Sequence, residues 1–141
     1  VAAFNKFQIF VQNIGRGVHN LNTDVLKDML TNTAPVNTNA VYADISSNEV
    51  ANGNGYLTGG TTIGSTAYSQ TSGTATLSGG NVVFQASGGS IGPFRYVVCY
   101  DSTPTSPLKP LIGWWDYGSS ITLADTETFT VNHSANILTI T

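Results

Sequence analysis

Pro93-Phe94-Arg95-Tyr96-Val97-Val98-Cys99-Tyr100-Asp101 is the stretch that decides the fold. Read with the two-residue period of a strand, it places Phe94, Tyr96, Val98 and Tyr100 on one face and Val97 and Cys99 on the other. Apolar residues on both faces predict a central strand covered from both sides, which calls for a second layer. Downstream, a turn-rich stretch holding Pro104 and Pro107 reads as an exposed loop. Residues 111–117, with Trp114, Trp115 and Tyr117, then resume the sheet. Ile121 and Leu123 precede an acidic turn at Asp125, and Phe129, Val131, Ile137, Leu138 and Ile140 supply the last strands.

Working upstream, residues 74–77 and 82–86 flank Gly79-Gly80, a pair able to take the positive φ angles of a tight hairpin. Residues 24–31 read as a strand with Leu26 and Leu30 on one face and Val25 and Met29 on the other, before the breaker Ala34-Pro35. Residues 36–60 are rich in Asn, Ser and Gly around one apolar group, Val41, Tyr42 and Ile45. They predict a long excursion with one helical turn, and so long a loop in a compact domain usually has a job. At the N-terminus, Phe4, Phe7, Val11, Ile14 and Val18 recur at spacings of three and four, predicting a short amphipathic helix within residues 1–17, ended by Gly15 and Gly17. The sum is about eight strands in one domain spanning residues 1–141: an all-β, antiparallel β-sandwich with a short N-terminal helix, its strands expected in jelly-roll order.

Composition narrows the function. Charged residues make up only 9% of the chain, against roughly 25% in an average domain. Lys6, Arg16, Lys27, Arg95 and Lys109 are scattered, and with a net charge of −3 they offer no footprint for a phosphate backbone. Nucleic acid is therefore not an expected partner. So uncharged a surface has little electrostatic protection against association, which favours an assembled protein. Cys99 stands alone, so no internal disulfide is available. No stretch has the ~20 apolar residues of a membrane span, and no basic, then apolar leader opens the chain, so cytoplasmic synthesis without a membrane partner is expected.

Groups for chemistry are few. His19 reads as a loop histidine and His133 as a strand-end histidine, each satisfied locally. Neither they nor Asp24 and Asp28 show the ligand spacing of a zinc or calcium site. No serine sits in a Gly-x-Ser-x-Gly turn, and Gly53-Asn54-Gly55 and Gly88-Gly89 lack the lysine of a phosphate loop. Asp101 with Asp116 is the best carboxylate pair for a glycosidase, and both read more simply as solvent-facing strand ends. Neither enzymatic activity, a metal nor a cofactor is expected. The aromatic group Trp114, Trp115, Tyr117, Phe94, Tyr96 and Tyr100 is open to three readings, core, protein interface or a stacking platform for sugars, and because Trp114 and Trp115 are adjacent in a strand they should point to opposite faces, so at least one of them is expected to be less buried. Phe7, Phe10, Val11 and Ile14 on the helix either dock on their own sandwich or meet a partner. With Val41, Tyr42, Ile45 and Trp115 they complete the candidate interface.

Gly17-Val18-His19-Asn20-Leu21, Leu30-Thr31-Asn32-Thr33-Ala34-Pro35, Gly92-Pro93-Phe94-Arg95-Tyr96 and Gly113-Trp114-Trp115-Asp116-Tyr117-Gly118-Ser119-Ser120-Ile121-Thr122-Leu123 together resemble small virion proteins of tailed phages, within them the cementing (capsid decoration) proteins of short-tailed phages. The resemblance spans most of the chain and implies a jelly-roll homodimer on the capsid exterior, made in the host bacterial cytoplasm and bound to a separate major capsid protein. It implies no catalytic residues. A carbohydrate- or receptor-binding virion module using residues 114–117 is the alternative.

Overall fold

The two-faced stretch lies at the centre of the protein, in a computed structural model that describes residues 2–141. It forms β7 (Ile91–Asp101), hydrogen-bonded on one side to β8 (Leu111–Leu123) and on the other to β2 (Leu26–Thr31). The short strands β1 (Asn5–Lys6) and β3 (Thr61–Thr62) complete a five-stranded sheet ordered β1-β8-β7-β2-β3. Opposite it lie β4 (Ala67–Thr71), β5 (Thr74–Ser78) and β10 (Leu138–Ile140), ordered β10-β5-β4, and the pair β6 (Val82–Gln85) and β9 (Thr128–Val131). Every ladder is antiparallel. The all-β sandwich with one short helix is therefore as read, while pairing in groups of five, three and two does not spell out the two four-stranded sheets of a jelly roll.

Both faces of β7 are buried, for different reasons. Val97 and Cys99 join Leu26 and Leu30 of β2 in the main core, closed by Leu77, Val82, Phe84, Ile137 and Leu138 from the opposite sheets. Val98 and Tyr100 face a second, smaller core with Phe7, Met29, Ile45 and Leu111. The facing read for Leu26, Leu30 and Met29 holds. Val25 lies just before β2 and is exposed. Phe94 departs from its expected face and joins the main core, because the ladder is irregular between Phe94 and Tyr96. Phe94 pairs with Ile121 and Tyr96 with Asp116, so residues 117–120 of β8 bulge outward around Gly118, whose φ is 99°.

Two local expectations need correction. The N-terminal helix is shorter than residues 1–17: α1 spans Gln8–Gly15, and Asn5 and Lys6 pair with Trp114 and Gly113 as a strand. The Phe7 N–H donates to the Ile112 carbonyl at 3.1 Å, tying the chain to the sheet immediately before the helix begins. Gly113 permits this, since a Cβ there would sit 2.3 Å from the Phe4 ring and 2.7 Å from the Asn5 carbonyl oxygen. The hairpin expected at Gly79-Gly80 is also absent: β5 pairs with β4 and β10, whereas β6 pairs with β9. The tight turn is instead at Ser72-Gly73, with φ of 51° and 83°. Gly79 serves close packing, because a Cβ would lie 2.7 Å from Ile63 Cγ2 and 2.9 Å from Ile137 Cδ1.

Candidate functional site

The 36–60 excursion carries two short 3-10 turns, Tyr42–Asp44 and Ser46–Asn48, where one helical turn was expected. Backbone hydrogen bonds from the Val50 N–H to the Leu30 carbonyl and from the Leu111 N–H to the Ala40 carbonyl, each at 3.0 Å, tie it to β2 and β8, and Glu49 draws its parts together. Its Oε1 accepts hydrogen bonds from the Tyr56 hydroxyl and the Gly59 N–H, each at 2.7 Å, and its Oε2 accepts one from the Tyr42 hydroxyl. The Tyr56 oxygen also accepts from the Leu30 N–H of β2 at 3.1 Å, and the Tyr100 hydroxyl of β7 donates to the Gly59 carbonyl at 2.5 Å. Burial, reinforced by the nearby Glu49 carboxylate, holds the Tyr42 and Tyr56 phenols above their ordinary value and pushes Tyr100 up to about 12. Near the start of the excursion, Asp44 Oδ2 accepts from the Ala40 and Val41 N–H groups at 2.7 and 3.1 Å. The excursion is thus clipped to the sheet while presenting Val36, 56% exposed, and Leu57, 71% exposed, to solvent.

The eight interface candidates separate by burial. Phe7, Phe10 and Ile45 are core residues and offer a partner no surface, because α1 and the excursion turn them inward. Ile14, Tyr42 and Trp115 are half-buried against the cores, Val41 is half-buried beside Pro110, and Val11 on the outer side of α1 is 56% exposed. The adjacent tryptophans do point to opposite faces. Trp114 packs on Phe7 at 4.6 Å in the smaller core, and Trp115 packs on Phe4 and His133, both at 5.4 Å.

Both histidines are buried and paired across the fold, contrary to the local reading. His19 Nδ1 lies 2.8 Å from Asp101 Oδ2, and His133 Nε2 lies 2.7 Å from Asp28 Oδ2. Asp28 sits on β2 opposite Cys99 of β7, and Asp101 opposite Leu26, so two aspartates point into the main core from neighbouring positions. Loss of solvent raises the pKa of both carboxyls, against the opposing pull of their histidine partners. Burial likewise pushes the Cys99 thiol well up, as fits a packed, unreactive sulfur. Asp101 is therefore no solvent-facing strand end. Asp116 pairs with Arg95 at 2.7 and 2.9 Å, opposite Tyr96 and roughly 17 Å along the strand from Asp101 at a rise of ~3.4 Å per residue. The two do not make a glycosidase pair.

Between β8, β9 and the chain leading into β10 lies a cleft of about 470 Å³. Trp115, Tyr117 and Phe129 form its aromatic walls, Asn132 and Asn136 lie along it, and His133 lines it. The bulge at residues 117–120 is what carries Tyr117, 53% exposed, to a position edge-on to Phe129 at 5.5 Å. Neither a family model, a curated protein nor a solved structure matches the chain.

Proposed function

We propose that this protein is a structural virion component, a non-enzymatic homodimer that binds the outside of a phage capsid and clamps neighbouring major capsid protein subunits. The observation that carries this reading is the clipped excursion. A long segment without strands is drawn together by the Glu49 carboxylate and tied to β2, β7 and β8 by hydrogen bonds, with Leu57 and Val36 exposed, so docking through it would forfeit little conformational entropy. A surface so poor in charge lowers the desolvation cost of burying such residues against a partner. Many copies, each contacting more than one subunit, would resist capsid expansion through effective concentration without any single strong contact.

The test compares phage capsids assembled with and without the protein. The account expects it to co-sediment with capsids and to raise their resistance to heat and low salt. Equal resistance, with all of the protein left in the supernatant, would sink it.

A further inference from the structure

We propose that the cleft between Trp115, Tyr117 and Phe129 is a binding site for a neutral saccharide ring. This goes beyond the capsid role and does not depend on it. The volume of about 470 Å³ falls in the ~300–1,000 Å³ range of small-molecule sites. No Asp, Glu, Lys or Arg is among the described residues that line the cleft, so nothing there recognises a charged ligand. Aromatic rings and two side-chain amides suit a ring with apolar C–H faces and polar edges.

His133 sharpens the choice. Its Nε2 is held by the buried Asp28 carboxyl, while its other ring nitrogen, Nδ1, makes no hydrogen bond with the described residues. If the Asp28 carboxyl is ionised and accepts the Nε2 proton, Nδ1 is an acceptor in the neutral ring and a donor in the imidazolium. If Asp28 holds the proton and donates it, Nδ1–H is a donor. A hydroxyl group meets either case, because it both donates and accepts. A purely aliphatic occupant would meet neither and would leave a polar nitrogen desolvated. Hydroxyl edge and C–H face together describe a pyranose.

The probe is a panel of neutral methyl glycosides of the common hexoses and of N-acetylglucosamine, followed by tryptophan fluorescence and by saturation-transfer NMR on the intact protein. At least one member is expected to bind saturably and to shift the resonances of Trp115, Phe129 and His133. Tyr117→Ala, at an exposed position, should weaken binding by about two- to tenfold, the range of one aromatic contact. Leu108→Ala, on an exposed loop outside the cleft, should leave it unchanged. Trp115→Ala should abolish binding, and if that variant does not fold, the wild-type resonance shifts together with Tyr117→Ala still decide. The proposal is overturned by no response at the highest soluble concentrations, by binding undiminished in Tyr117→Ala, or by uptake of an alkanol with no glycoside response. None of these outcomes bears on capsid binding.

Discussion

Replacing Glu49 by alanine removes the acceptor for three donors at once: the Tyr42 and Tyr56 hydroxyls and the Gly59 N–H. Hydrogen bonds to a charged group are worth roughly 1.5–3 kcal/mol each, but three that share one carboxylate are not additive. Tyr56 is buried and keeps its contact with the Leu30 N–H, whereas Tyr42 is only half-buried and can turn to water. A net loss of about 2–4 kcal/mol follows. For a chain of 141 residues, between the size classes at which 1 kcal/mol moves Tm by about 4–8 °C and about 2–4 °C, a slope of about 4 °C per kcal/mol gives a fall of roughly 8–16 °C. Calorimetry reads the fall, and hydrogen exchange locates it: amides of residues 36–60 should lose protection while the β7–β8 ladder keeps its own. Glu49→Gln, which retains one acceptor oxygen, should fall less. A Tm within about 2 °C of wild type, with protection over residues 36–60 intact, would refute the claim that this carboxylate draws the excursion together.

Other predictions concern titration and packing. The tyrosines around Glu49 hold their protons above the ordinary phenol value of 10.0, so the folded state binds more protons than the unfolded one in that range. Stability present at lower pH should be lost as pH rises from 10.0 towards about 12, with phenolate absorbance lagging behind that of the unfolded protein. Asp28 follows the same sign: its raised carboxyl pKa means that the fold gains stability as pH falls towards the ordinary value of 3.8, and Asp28→Asn should flatten that gain in thermal melts. Asp28→Ala, which leaves the buried His133 Nε2 without its partner, should cost about 1–3 kcal/mol by denaturant unfolding. Gly113→Ala should displace Phe4 and β1, red-shift tryptophan emission and cost about 1–3 kcal/mol.

The fold class was legible because the residues that set it carry their signal locally. From Val97 to Tyr100 successive residues of β7 enter the two cores in turn, and opposed Trp114 and Trp115 follow directly from strand geometry. Sheet membership was less legible. Gly79-Gly80 permits a hairpin without requiring one, and β4, with Tyr68 as its one large apolar residue, carries too little alternation to announce itself as the partner of β5. The bulge at residues 117–120 also escaped, since Gly118 marks only that a positive φ is available. The aspartate–histidine pairs span sequence separations of 82 and 105 residues, and nothing local in either partner points to the other. Phe7, Phe10 and Ile45 were legible as apolar, but whether an apolar residue faces its own core or a partner depends on which elements dock beside it. Glu49 reads in the sequence as an isolated acid in a polar loop, and its role as a clip appears only once Tyr42, Tyr56 and Gly59 converge on it.

The central claim, a clamp on the outside of a capsid, is tested most directly by a cryo-EM map of the virion that contains this protein. The account predicts density for the sandwich outside the major capsid shell, paired as a dimer across a seam between capsomers, with the 36–60 excursion against the subunits it joins. A virion without such density, or with the protein confined to the tail, would contradict it.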